Sequence, residues 1–154
     1  MLKRNSIKNG QKRKTKVNSS KKFYDGIEFD SGLEVYCYRQ LKDVGLTFEY
    51  TKTTFVLING FIFNGVSFEP DKKRGLLLTK KSPNLQSIKY TPDFVGNGWI
   101  IETKGRANES FGMRYKLFKK YLTDNNFKYD LYLPKNQKQV DQCIELILTR
   151  NENN

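Results

Sequence analysis

Tyr90-Thr91-Pro92-Asp93-Phe94-Val95-Gly96-Asn97-Gly98-Trp99-Ile100-Ile101-Glu102-Thr103-Lys104 is the stretch on which the fold turns. Two apolar runs flank Asn97-Gly98, a dipeptide suited to a tight hairpin turn. The spacing predicts a hairpin of Ser87–Val95 with Trp99–Thr103. A two-residue type I′ turn sets Gly96 opposite Trp99, Val95 opposite Ile100 and Phe94 opposite Ile101. Asp93 then lies across from Glu102, with β-carbons about 5 Å apart. Glu102 and Lys104 are two apart on one strand, sharing a face at about 6.6 Å. In this register Asp93, Glu102 and Lys104 point to one side, and Phe94 and Ile101 point into the core. A three-residue loop, Gly96-Asn97-Gly98, would instead pair Asp93 with Ile101 and separate the acids.

Outward from this hairpin, the pattern alternates between helix and strand. Gly26–Asp30 reads as extended. A helix over roughly 32–44 follows, with Leu33, Cys37, Leu41 and Val44 at three- and four-residue spacing and Gly45 as its stop. Residues 46–58 are strand-rich, and Asn59-Gly60 between Phe55–Ile58 and Phe61–Phe63 predicts another hairpin. Turns are expected at 70–73 and at 82–84, with a short strand at 76–79. Beyond the central hairpin come a helix over roughly 108–124, a strand at Tyr129–Leu133 and a helix over roughly 136–149. The order predicts a small α/β domain with a mixed sheet. Its length of 154 residues suits one core.

Charge divides the chain in two. Residues 1–22 carry nine lysines and arginines and no acid, leaving 19 basic and 16 acidic residues in the other 132. Such a segment buries too little apolar surface to fold alone, so a disordered basic arm (1–22) precedes a single domain (23–150). Lys12, Arg13, Lys14 and Lys16 are its candidate phosphate contacts; a solvated solubility tail is the alternative. On the body, Arg106 follows the acidic motif, and Arg114, Lys116, Lys119 and Lys120 lie largely outside the apolar stripe of the 108–124 helix. They suggest a basic face for nucleic acid or an ordinary solvated one. Lys72, Lys73, Arg74, Lys80 and Lys81 read either as a DNA-contacting loop or as a solvated turn.

Histidine is absent, which excludes serine–histidine hydrolysis, histidine–metal nucleases and phosphohistidine chemistry. Any metal must be held by oxygen, which points to magnesium, with manganese able to substitute. Cys37 and Cys143 lack a metal or redox spacing and read as reduced core residues of an intracellular protein. No apolar run reaches membrane-spanning length.

Two opposed carboxylates repel unless a cation joins them. A divalent ion there would polarise a phosphodiester and acidify a bound water. Lys104 would orient or deprotonate that water, or stabilise charge on phosphate. The alternative is an Asp93–Lys104 salt bridge on a solvent face. Pro70-Asp71 carries the first half of the pattern without the second. Glu34 is a further acid: Ser31-Gly32-Leu33-Glu34 has the form of a capping box, and Glu34 is also placed to reach a sheet beneath its helix.

Phe29-Asp30-Ser31-Gly32-Leu33-Glu34, Gly45-Leu46-Thr47-Phe48-Glu49-Tyr50, Tyr90-Thr91-Pro92-Asp93-Phe94 and Ile101-Glu102-Thr103-Lys104-Gly105 resemble the bacteriophage endonuclease I junction-resolving enzymes of the PD-(D/E)xK class. The resemblance implies a restriction-endonuclease-like core, a mixed central β-sheet flanked by helices. It implies a homodimer carrying two magnesium-dependent sites onto a four-way (Holliday) DNA junction. Carried over, Glu34, Asp93, Glu102 and Lys104 are catalytic, and Glu34, Asp93, Glu102 and Thr103 form the metal site. Residues 51–89 depart from the pattern, being longer than expected. The expected function is a structure-selective endonuclease of branched DNA, in the host cytoplasm if phage-encoded, with no membrane partner. A sequence-specific or nonspecific nuclease and a non-catalytic nucleic-acid-binding module are the alternatives.

Overall fold

The computed structural model describes residues 21–152, except 72, 81–83 and 106–108. Its elements are β1 (Lys22–Tyr24), β2 (Ile27–Phe29), α1 (Gly32–Asp43), β3 (Phe48–Tyr50), β4 (Phe55–Ile58), β5 (Phe61–Ile62), β6 (Ser67–Pro70), β7 (Leu77–Lys80), β8 (Asn84–Leu85), β9 (Ile88–Tyr90), β10 (Phe94–Gly96), β11 (Trp99–Ile101), α2 (Glu109–Asp124), β12 (Asp130–Tyr132) and α3 (Gln137–Glu152). The central sheet has the order β12-β11-β10-β3. β3, β10 and β11 are antiparallel neighbours, and β12 joins β11 in parallel. The sheet is therefore mixed, as the helix–strand order predicts.

Strand alternation gives this sheet two buried faces. Phe94, Trp99 and Ile101 pack with Cys37 and Leu41 of α1 and with Val140, Ile144 and Ile147 of α3. Ile100, with Val95 and Leu131 against it, packs with Phe118 and Leu122 of α2 and with Phe55 and Tyr90. Both cysteines are free and buried. Burial raises the Cys37 thiol well above its ordinary range and pushes Cys143 up to about 11, so both stay protonated packing groups. No helix among the described residues is long and apolar enough to cross a membrane.

The central register is the one a two-residue turn requires: Gly96↔Trp99, Val95↔Ile100 and Phe94↔Ile101. The turn itself differs from type I′. Gly98 has a φ of 75°, but Asn97 is not among the positive-φ residues. Type I′ needs positive φ at both positions, so the signs are those of type II. The space above Gly96 explains why this pair tolerates no side chain, since a β-carbon there would sit 2.1 Å from the Trp99 ring.

Three expectations need correction. The hairpin does not extend to Ser87, because β9 pairs with β4 and Thr91-Pro92 carries the chain across to the central sheet. Asn59-Gly60 is not a hairpin turn. β4 pairs with β9, β5 with β8 and β6 with β7, so the described residues between Phe55 and Tyr90 form one long antiparallel ribbon. Gly60 instead lets the strands approach, since a β-carbon there would lie 2.9 Å from the Leu85 carbonyl oxygen. Third, the folded body starts earlier than residue 23: Lys22 opens β1 and Lys21 pairs with Glu28. Lys12, Arg13, Lys14 and Lys16 lie outside the described residues, as does Arg106.

Candidate functional site

Continuing the β10–β11 register by one step sets Asp93 against Glu102 at the open end of the hairpin. The main chain there stays tied to both neighbours. Thr51 N–H donates to the Asp93 carbonyl at 2.8 Å, and Glu102 and Lys104 N–H donate to the Tyr132 and Pro134 carbonyls at 3.0 Å each. The acids are thus held on the sheet rather than on a loop. Glu102 and Thr103 are buried, and Asp93 and Lys104 are partly buried.

Asp93 and Glu102 have different hydrogen-bonding and ionic partners. Asp93 Oδ2 accepts from both the N–H and the hydroxyl of Thr103, each at 2.7 Å. Pro92 precedes it and the strand starts only at Phe94, so strand alternation no longer dictates its direction. Glu102 Oε1 faces Lys104 Nζ at 3.5 Å, and that ammonium lies 4.9 Å from the centre of the Phe111 ring. The Lys104 ion pair is therefore with Glu102, not with Asp93. Glu102 Oε2 and the Tyr90 hydroxyl are both buried without a partner in ideal hydrogen-bond geometry. The two groups face each other: the Tyr90 hydroxyl acts on the Glu102 carboxylate as a hydrogen-bond donor, lowering its pKa, although the pair falls short of that geometry.

Glu34 sits behind this pair as a buried residue of the first turn of α1. Ser31 is the N-cap: its Oγ accepts from Glu34 N–H at 3.2 Å, and its hydroxyl donates to Glu34 Oε1 at 2.7 Å. Glu34 Oε2 accepts from Asp30 N–H at 3.1 Å and from the Tyr50 hydroxyl at 2.7 Å. The capping box is present with one change, the carboxylate reaching back to Asp30 rather than to the cap residue's own N–H. At the far end α1 closes in a Schellman motif, with Gly45 (φ 72°) donating to Lys42 and Leu46 donating to Leu41.

Electrostatics joins the three acids. Burial and the Glu102 charge push Asp93 up to about 7, with a smaller push from Glu34; the two bonds from Thr103 oppose this. Burial also raises Glu102, against the pull of Lys104. These groups hold more negative charge than Lys104 balances. Among the described residues, no three histidine, cysteine, aspartate or glutamate side chains form a ready-made metal cage. The arrangement fits a looser, all-oxygen site. Glu102 Oε2 is buried with only the Tyr90 hydroxyl beside it, outside ideal hydrogen-bond geometry, and Asp93 Oδ1 takes no part in the Thr103 bonds. Magnesium commonly takes only one or two carboxylates, keeping water or phosphate for the rest.

The basic face of α2 is partly committed. Arg114 donates to the Lys89 carbonyl at 2.9 Å, Lys120 pairs with Asp124 at 2.8 Å, and Lys119 lies 4.7 Å from the Tyr115 ring centre. Lys116 is exposed. Sequence reasoning missed Tyr50, Tyr90 and Phe111 as neighbours of the acids. Tyr90 stands inside the quoted motif, but a phenol in an apolar run reads as core. No curated protein and no solved structure matches the chain. Residues 14–138 match the family described as "Protein of unknown function (DUF1064)", so the chain belongs to that family.

Proposed function

We propose that this protein is a divalent-metal-dependent DNA endonuclease of the PD-(D/E)xK kind, acting as a homodimer on branched DNA such as four-way junctions. The observation that carries the reading is the hairpin end: the β10–β11 register, continued by one step, sets Asp93 opposite Glu102, the Glu102 charge raises the Asp93 pKa, and Lys104 Nζ lies 3.5 Å from Glu102. A mixed sheet covered by helices on both faces agrees with a restriction-endonuclease-like core. The junction preference and the dimer follow from the resemblance of the four motifs.

Asp93 and Glu102 would hold a magnesium or manganese ion, with Glu34 adding charge from behind and Thr103 fixing Asp93. When bound, such an ion polarises the phosphodiester and makes water more acidic. Lys104, held between Glu102 and the Phe111 ring, supplies a cation for charge developing on phosphate or orients the attacking water. Lys116 and the N-terminal lysines and arginines hold the DNA backbone.

The test is cleavage of an end-labelled four-way junction and of its linear duplex, with and without magnesium, by the parent, Glu102→Gln and Lys104→Ala proteins. Magnesium-dependent, paired cuts in the junction by the parent alone, with DNA affinity kept in all three, are expected. Equal cutting of linear duplex would assign a nuclease of different specificity. Binding without cutting under any condition would leave a nucleic-acid-binding module.

A further inference from the structure

We propose that the ribbon formed by β4–β9 is a DNA-docking arm that takes unstacked bases, its apolar side chains lying against base faces and its basic turn holding the phosphates beside them. The proposal deepens the nuclease reading, on which the choice of DNA over RNA rests, by naming the part of a branched DNA that is gripped. Among the described residues, twelve of the eighteen exposed large apolar side chains lie between Val56 and Ile88. Phe61 is 52% exposed, Phe63 45% and Phe68 62%. Past Leu57, none of the described apolar side chains on the outgoing strands β5 and β6 joins either core. A β-carbon on Gly65 would sit 2.6 Å from the Phe63 ring, so a side chain there would displace that ring. At the outer end Pro70 pairs with Leu77, which places two apolar side chains on one face beside the turn.

Cations accompany this apolar surface. Residues 53–90 hold six lysines and arginines against two acids, Glu69 and Asp71. The turn at the outer end is built around Asp71. Its Oδ1 accepts from the N–H groups of Lys73 and Arg74 at 2.9 and 2.7 Å. Its own N–H donates to the Leu76 carbonyl, and Gly75 N–H donates to the Asp71 carbonyl, each at 2.9 Å. Asp71 is thus committed to the main chain, and the Lys73 and Arg74 side chains are exposed. Among the described residues, neither cation joins an ion pair. Lys89 is exposed at the base of the ribbon, and Lys72 and Lys81 lie outside the described residues.

The combination selects the occupant. Two copies meeting ribbon to ribbon would each bring a net charge of +4, six cations less two acids, into one interface. A polyanion turns that repulsion into attraction. A closed duplex offers phosphates and base edges but keeps its base faces stacked inside. Unpaired bases, at a branch or in a single strand, expose faces on which rings stack. Apolar side chains wedge between bases most readily where stacking is already lost. At about 3.3 Å per residue, Phe61 and Phe68 lie up to about 23 Å apart, a span of several nucleotides. The base of the ribbon is anchored, the Tyr90 ring lying 4.4 Å from that of Phe118. From there Thr91-Pro92 lead directly to Asp93, so DNA held at the base lies next to the candidate site.

The test is binding of the full chain, in EDTA, to fluorescein-labelled oligothymidylate and to a linear duplex of equal length. Phe61→Leu with Phe68→Leu keeps the apolar surface and removes two rings. It should weaken oligothymidylate binding at least about tenfold and duplex binding less than about twofold. Lys73→Gln with Arg74→Gln should lower the slope of log Kd against log salt on oligothymidylate by about 1.4. Because the leucine variant can disturb the ribbon itself, Phe61→Trp provides a second measurement. Oligothymidylate should quench the new indole, while Trp99, 1% exposed, gives a constant background. Equal losses on both DNAs, an unquenched indole or tighter binding of oligouridylate would each overturn the inference. So would ring changes that alter only the mass of the protein or its cosedimentation with anionic phospholipid vesicles. Binding without cleavage in magnesium would sink the nuclease reading and leave the arm standing; cleavage with the ring variants equal to the parent in binding would do the reverse.

Discussion

Replacing Asp93 with asparagine keeps the shape of the site and removes one charge, and the consequence can be worked from the structure. The amide oxygen can accept both Thr103 bonds now made by Asp93 Oδ2. In the parent, burial and the Glu102 charge push this carboxyl from 3.8 up to about 7. Because the folded value is raised, the stability Asp93 lends is fully present below its unfolded value and is lost as pH rises through about 7. At about 1.36 kcal/mol per pH unit, the full loss is about 4 kcal/mol. Water at the partly exposed Asp93 screens the charge, leaving an expected gain for Asp93→Asn at pH 8 of about 1–3 kcal/mol. At roughly 3 °C per kcal/mol, that is a Tm rise of about 3–9 °C, shrinking towards zero near pH 4. Magnesium at ten times its dissociation constant should add about 1.4 kcal/mol to the parent at pH 8 and almost nothing to the variant. Differential scanning calorimetry across pH, with and without magnesium, reads all four arms. A variant less stable than the parent at pH 8, or equally stabilised by magnesium, would refute the reasoning.

Other expectations follow from single contacts. Gly96→Ala drives a methyl group into the Trp99 ring, 2.1 Å away, and should cost about 2–3 kcal/mol or shift the hairpin. Trp99 is the sole tryptophan, so its fluorescence during urea unfolding reports this directly. Tyr50→Phe removes the 2.7 Å bond to buried Glu34 and should lower stability by about 1–3 kcal/mol in the same assay. Deleting residues 1–20 removes seven lysines and arginines. It should weaken DNA binding and flatten its dependence on salt, read as the slope of log Kd against log salt, with thermal stability unchanged.

The central hairpin was legible because three local signals agree: a turn dipeptide, apolar runs on either side and a register that buries one set of residues. Helix α1 was legible from Ser31, Glu34 and Gly45, each acting within one turn. The ribbon was not. Asn59-Gly60 is a strong local turn signal, but pairing Phe61 and Ile62 with Asn84 and Leu85 overrode it, and a partner over twenty residues away leaves no local mark. The site was half legible for a related reason. Spacing brings Asp93 to Glu102, but it cannot show that Thr103 would hold Asp93 or that Tyr50 would hold Glu34. Those bonds depend on how α1 and the strand ends meet.

The most direct measurement is anomalous diffraction from crystals soaked in manganese near pH 8. The account predicts a peak within coordination distance of both Asp93 and Glu102, next to Lys104, and its loss in Asp93→Asn. No peak there, with both acids turned away from each other, would contradict it.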